Sequence, residues 1–152
     1  MADPSDRLLL DAMLGKLARY LRMCGYDAAY ALDRGIEADD DLRAVAESEG
    51  RALLTRDRQL AARVPGSVRI DAREIDDQLR ELRSAGFELS LAGTPARCGR
   101  CNGPVDAIDE HGDVPDYAPD PGDTACYRCR DCGQVFWKGS HWDDVRERIA
   151  GL

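Results

Sequence analysis

The sequence holds only two lysines, Lys16 and Lys138, among its 21 basic residues. It has no apolar run approaching the roughly 18–20 residues that a membrane-spanning helix needs, so no helical membrane span is expected. Positive charge is not in excess either: 29 acidic against 21 basic residues leave a formal charge of −8. That balance argues against a protein that grips nucleic acid by bulk positive charge. It leaves room for one that reaches phosphate through bound cations, which bring their own charge. The opening residues, MADPSDR, carry acids where a secretory signal needs a basic region, which predicts a cytoplasmic protein. Internal repeats and low-complexity tracts are missing. What is present is 152 residues with 43% apolar side chains, enough for one domain with a small appendage.

Two compositions divide the chain, and we set the boundary at 1–92 and 93–152. The first part alternates short apolar runs with amphipathic stretches. Strands are predicted at 7–10, 27–32, 51–55 and 68–70. Helices are predicted at 13–24, 39–49, 60–64 and 74–85, with Gly25 and Gly50 as stops. Strands alternating with helices of this length specify βαβ units on a parallel sheet, hence an α/β fold. The second part holds five of the six cysteines. Between its cysteine pairs, residues 102–125 carry seven acids, four prolines, three glycines and no lysine or arginine, the composition of a loop. A last helix is predicted from Ser140, with Ser140 as N-cap and Asp143 three residues on.

Cys98-Gly99-Arg100-Cys101 and Cys129-Arg130-Asp131-Cys132 form two C-x-x-C knuckles. Four thiolates so arranged are the ligand set of a structural zinc ion. An inserted loop between the pairs costs little closure entropy. Two disulfides are the alternative reading, and Cys126, which also makes C-x-x-C with Cys129, is the alternative ligand. Cys24 falls on the apolar side of the first helix.

Asp11 and Asp57 each follow directly on a predicted strand, and Asp39, Asp40 and Asp41 open the helix after the second strand. In an open α/β sheet ligands bind beyond the carboxyl ends of the strands, where these acids would gather. Carboxylates that converge repel unless protonated or bridged by cations. Mg²⁺ or Mn²⁺ takes such oxygen ligands, and either ion can activate water and stabilise a phosphodiester leaving group. Helix capping by Asp39 and Asp57 is the competing reading. Lys16, Arg19 and Arg22 recur at every third position of the first helix, as a phosphate-contacting or merely solvated stripe. Thr55 and Arg56 precede Asp57 and could order that loop. Asp57 after a third strand also suits a phospho-accepting receiver, but the lysine such a domain needs after a later strand is missing.

The stretch DAMLGKLARYLR from Asp11 to Arg22, the triplet Asp39-Asp40-Asp41 and EGRALLTRD from Glu49 to Asp57 resemble a PIN-like ribonuclease family. That family was first named from the C-terminal domain of the mutator exonuclease Mut-seven. RCGRCNGP from Arg97, YRCRDCG from Tyr127 and WKGSHW from Trp137 are similar to its appended zinc ribbon. The resemblance spans residues 8 to 150. It implies a PIN-like three-layer α/β/α sandwich with a parallel sheet, plus a small C-terminal zinc ribbon. It also implies metal-dependent endonuclease chemistry on RNA, with catalytic acids at Asp11, at Asp39 or Asp40, and at Asp57. Asp11, Asp40 and Asp57 would then bind Mg²⁺ or Mn²⁺, and Cys98, Cys101, Cys129 and Cys132 a structural zinc. Lys16, Arg19, Thr55 and Arg56 would meet the RNA. Where PIN domains often place a second acid two residues on, this chain has Gln59, a neutral amide. The rival expectation is a non-catalytic module that keeps the fold and binds RNA or protein. A protein partner or a homo-oligomer is compatible with either.

Overall fold

Three consecutive leucines, Leu8, Leu9 and Leu10, set the architecture. Side chains alternate across a strand, so Leu8 and Leu10 face one side of a sheet and Leu9 the other. All three have no exposed surface, so both faces of that sheet are covered. A computed structural model describes residues 6–152; residues 1–5, where most of the acidic N-terminal stretch falls, lie outside the described residues.

The sheet contains β1 (Arg7–Leu10), β2 (Asp27–Tyr30), β3 (Ala52–Thr55) and β4 (Val68–Arg69), in the order β2-β1-β3-β4. Every pairing is parallel. On one face, Leu8 and Leu10 pack with α1 (Gly15–Met23), α4 (Ile75–Ser84) and α5 (Ser140–Ala150), through Leu17, Leu21, Leu79, Leu82, Val145 and Ile149. On the other, Leu9 and Leu53 pack with α2 (Asp39–Glu49) and α3 (Arg58–Arg63), through Leu42, Ala46 and Leu60. The result is a three-layer α/β/α sandwich. Each fully buried leucine stabilises it by about 2 kcal/mol relative to exposure.

A second sheet follows. It is antiparallel, in the order β5-β6-β7, from Val105–Ala107, Cys126–Cys129 and Val135–Trp137. The segment 102–125, read from sequence as loop, therefore contributes β5. Chain boundaries and packing boundaries differ, since α5 follows the second sheet in sequence but buries Val145 and Ile149 in the core of the first.

Several predicted ends move. The first helix begins at Gly15, because Met13 takes a left-handed backbone (φ 76°) that interrupts helical winding. The second strand stops at Tyr30 and gives way to a 3-10 turn over Ala31–Arg34. The third helix starts at Arg58, earlier than periodicity suggests, because the Asp57 carboxylate caps it. The last helix has Gly139 as its N-cap, so Ser140 is its first residue and makes no side-chain cap bond.

Asp27 ties the two sheets together. Its carboxylate accepts from Arg51 Nη1 at 2.8 Å and from Asn102 Nδ2 at 2.6 Å. Arg51 is buried and also donates to the Leu8 carbonyl at 3.1 Å, while Asn102 Oδ1 accepts the Ala28 N–H at 2.8 Å. Burial alone would raise the Asp27 pKa, but its bonds to Arg51 and Asn102 hold the carboxyl below its ordinary value. A carboxyl depressed in the folded state stabilises above its unfolded pKa of about 3.9 and loses that contribution as pH falls through the folded value. Arg51→Met is expected to destabilise the protein by about 3 kcal/mol, because it removes the buried guanidinium and leaves the half-buried Asp27 carboxylate to Asn102, Arg7 and Arg97 alone. Thermal melting should record a midpoint lower by roughly 6–12 °C.

Candidate functional site

The strand order reverses beside β1, with β2 on one side and β3 on the other, and such switch points open a crevice at the carboxyl ends of the strands. Asp11 follows β1 there. Its N–H donates to the Leu54 carbonyl at 3.0 Å, which carries the β1–β3 pairing one residue past the strand and fixes the Asp11 backbone. Its Oδ1 accepts the Ala12 N–H at 2.7 Å. Met13 then turns outward with 75% of its surface exposed, and its positive φ costs of order 1 kcal/mol. Gly15 opens α1 against the Tyr30 ring, where a Cβ would lie 3.0 Å from the ring atoms.

From the other strand, Thr55 is fully buried. Its Oγ1 donates to Asp11 Oδ2 at 2.7 Å and accepts the Asp57 N–H at 3.0 Å. One hydroxyl thus connects the two acids that follow β1 and β3. Asp57 Oδ1 accepts from Gln59 N–H at 2.9 Å and Leu60 N–H at 3.1 Å, capping α3. Its second oxygen has no protein partner among the described residues and faces solvent with the exposed side chain. Capping and site roles therefore coexist in one carboxylate.

Asp39 and Asp40 occupy the first turn of α2, whose N-cap is Ala38, so neither caps it. Both turn to Arg63 at the end of α3: Asp40 Oδ1 lies 2.9 Å from Nη2, and Asp39 Oδ2 3.9 Å from Nη1. Asp40 is the more exposed, at 88% of its side chain against 46% for Asp39. Sequence reasoning did not find Arg63, and a contact spanning 23 residues leaves no local signal.

Lys16 and Arg19 are exposed and have no hydrogen-bond or ion-pair partner among the described residues. Arg22, the third member of that stripe, instead turns inward and is 3% exposed. Its Nε donates to the Ala28 carbonyl at 2.8 Å and Nη1 to the Gly99 carbonyl at 2.9 Å, which bolts α1 to the first cysteine knuckle. Arg56 reaches the Asp71 carbonyl at 3.4 Å, and its Nε is buried without a partner.

The cysteines converge more tightly. One ligand atom from each of Cys98, Cys101, Cys129 and Cys132 lies within 4.8 Å of all the others, and among the described residues no other group of three or more acids, histidines or cysteines does so. Cys98 and Cys132 Sγ atoms are 3.8 Å apart, and those of Cys101 and Cys129 3.4 Å. A tetrahedron with zinc–sulfur bonds of about 2.3 Å has sulfur–sulfur edges of about 3.8 Å, so the four thiols fit that ion. All six cysteines are free of disulfides. Cys126 stands outside the cluster and donates to the Thr124 carbonyl at 3.3 Å. Burial pushes the Cys101 thiol up to about 12, with the neighbouring thiols adding to the rise. Burial opposes ionisation of Cys129 too, but the N–H groups of Cys132 and Asp131 bring it down to about 7. Gly103 is required here, because a Cβ would sit 2.8 Å from Cys129 Sγ.

A parallel four-stranded sheet with acids at its switch point, followed by a four-cysteine ribbon, narrows the family. A scan against known protein families matches residues 6–149 to the Mut7-C RNAse domain. The chain belongs to the Mut7-C RNAse domain family. No curated protein and no solved structure matches it. The match runs through both sheets, so in this Mut7-C RNAse domain the sandwich and the cysteine ribbon form one family unit. The family points to a ribonuclease-like activity and to RNA as the substrate. Among the described residues, no helix of this Mut7-C RNAse domain is long and apolar enough to cross a membrane.

Proposed function

We propose that the chain is a metal-dependent endoribonuclease whose reaction takes place at the crevice between β1 and β3. The observation that carries this reading is the Asp11–Thr55–Asp57 chain, in which a buried hydroxyl holds one acid and anchors the backbone of the other. Carboxylate oxygens suit Mg²⁺ or Mn²⁺, and Asp57 keeps one oxygen free of donors among the described residues. Asp11 and Asp57 would hold such an ion, with Asp39 or Asp40 contributing from α2. When bound, it supplies a Lewis acid that lowers the pKa of water and offsets charge on a phosphodiester.

The protein's own groups prepare the site. Thr55 and the Ala12 N–H each bind one oxygen of Asp11, so this carboxylate stays in one rotamer and loses little entropy when it takes a cation. Capping of α3 fixes Asp57 in the same way through its other oxygen. Lys16 and Arg19, exposed on α1 and unpaired among the described residues, offer donors to RNA phosphates. The four cysteines would hold structural zinc, and Arg22 transmits the position of that centre to α1 through the Gly99 carbonyl.

The test is cleavage of single-stranded RNA by the zinc-loaded chain with and without added Mn²⁺. Cleavage that requires the ion supports the reading; none under any divalent cation overturns it. Thr55→Val is expected to lower kcat by roughly 10-fold to 100-fold while leaving KM within about twofold, because it frees Asp11 and because Thr55, expected from sequence to meet the RNA, has no exposed surface to offer it. Steady-state kinetics separate the two constants. A non-catalytic binding module is favoured by one feature: Gln59 places a neutral amide where a second acid would strengthen cation binding. Titration with Mn²⁺ decides between them, since a binding module takes up no ion at Asp11 and Asp57.

A further inference from the structure

A groove of about 400 Å³ runs between α1, the first cysteine knuckle and α5. Arg19, Arg97 and Arg100 line it beside His141, and among the described residues no acidic side chain does. This composition opposes that of the whole chain, which carries eight more acidic than basic residues. Both tryptophans of the sequence, Trp137 and Trp142, line the same groove. Trp137 is half-buried and stacks on Tyr117, with centroids 6.5 Å apart and planes 26° from parallel. Gly139 lets the turn close over that indole, since a Cβ there would fall 2.9 Å from its Nε1. Lys138 Nζ lies 5.4 Å from the Trp142 ring centroid and adds a further cation nearby.

The arginines are lightly tied. Arg19 has no hydrogen-bond or ion-pair partner among the described residues, and Arg100 reaches only the Gln134 side chain, at 3.2 Å. Arg97 is held more firmly, 3.6 Å from Asp27 and donating to the Asn102 carbonyl at 3.4 Å, so the free donors are those of Arg19 and Arg100. Guanidinium groups beside aromatic rings are what unpaired nucleotides require: phosphate takes the charge, and any base can stack on a ring whatever its sequence. Location supports the same occupant. Lys16 and Arg19 are one turn apart on α1, the helix that begins just after Asp11, so this helix leads from the acidic crevice to the groove.

Resting on the ribonuclease reading, we propose that this groove binds an unpaired nucleotide of the RNA substrate beyond the cleavage point. Arg19 and Arg100 hold its phosphates, and the Trp137 side of the groove stacks its base. The site selects single-stranded over duplex RNA, because a paired base cannot splay into it.

The two tryptophans supply the test. The full zinc-loaded chain, without Mg²⁺ or Mn²⁺, is titrated with an unpaired RNA of about ten nucleotides while indole fluorescence is followed. Saturable quenching is expected, with a duplex of the same composition binding at least about tenfold more weakly. Arg19→Glu combined with Arg100→Glu should weaken binding about tenfold or more and flatten the salt dependence of log K by about 1.4, or 0.7 for each phosphate no longer neutralised. Both positions are exposed, and an unchanged zinc content verifies folding. Absence of quenching overturns the proposal, as does equal affinity in the double variant. Quenching by an acidic polypeptide as strong as that by RNA also overturns it, in favour of a protein-docking groove. Binding that persists in a chain without nuclease activity removes the catalytic reading and keeps the groove. Cleavage with an unchanged KM in the double variant does the reverse.

Discussion

Asp11→Asn is expected to reduce Mn²⁺-dependent RNA cleavage by roughly 10³-fold or more, equivalent to about 4 kcal/mol of transition-state stabilisation. The change removes one negative charge and one of two ligand oxygens while preserving size. Little else should move. The backbone bond from Asp11 N–H to Leu54 is untouched, and the amide oxygen can still accept from Ala12 or from Thr55. A thermal midpoint within a few degrees and an unchanged zinc content would place the loss in chemistry and not in folding. Cleavage that survives the substitution would remove Asp11 from the reaction.

The second large effect concerns zinc. Cys129→Ser, or chelation of the parent chain, is expected to abolish tight zinc binding and to destabilise the protein by several kcal/mol. Zinc-finger peptides, with about 10–16 kcal/mol of apparent binding energy, set the upper bound. The loss should spread beyond the ribbon. Gly99 and Asn102, within and beside the first knuckle, bond to Arg22, Ala28 and Asp27 of the sandwich, so a loosened knuckle leaves one donor of a buried arginine and a strand N–H unsatisfied. Metal analysis should fall from one zinc per chain to none, and melting should show a lower midpoint. Chelation should proceed more readily at about pH 5 than at pH 8, because each thiolate ligand competes with a proton for the ion. An unchanged midpoint on zinc removal would mean that the cysteines serve another purpose.

These effects separate what was readable in the residues from what was not. The leucine runs of β1 and β3 and the amphipathic pattern of α2 are local signals, and the elements fall where those patterns put them. Asp11 and Asp57 could be placed at the ends of the strands for the same reason, and the paired C-x-x-C spacing carried the four cysteines. The contacts that hold these parts together were hidden. Asp27 meets Arg51 across 24 residues and Asn102 across 75, and no periodicity encodes such pairings. Arg22 looked like part of a basic stripe because helix spacing cannot show that its guanidinium turns inward to the Ala28 and Gly99 carbonyls. The left-handed turn at Met13 was equally silent, since methionine carries no preference for positive φ. The short strand Val105–Ala107 has two apolar residues in an acidic insert and takes its shape from pairing with Cys126–Cys129.

The −8 charge changes meaning once its placement is seen. Residues 1–90 carry fourteen basic and eighteen acidic side chains, and the remainder seven and eleven. Part of the first excess is the proposed cation cradle of Asp11 and Asp57. Much of the second lies in residues 102–125, whereas the groove beside the first knuckle collects arginine and no acid. A protein can therefore be acidic overall and still offer RNA a positive path, provided that its acids are kept off that path or bridged by cations.

Everything proposed for the reaction depends on Asp11 and Asp57 forming a divalent-cation site at the switch point of the parallel sheet. A crystal of the zinc-loaded chain soaked in Mn²⁺ tests it through the anomalous signal of the ion. The expected result is Mn²⁺ coordinated by the Asp11 and Asp57 carboxylates, with Asp39 or Asp40 turned towards it. A four-cysteine centre filled with zinc, beside a crevice that takes up no Mn²⁺, would contradict the claim.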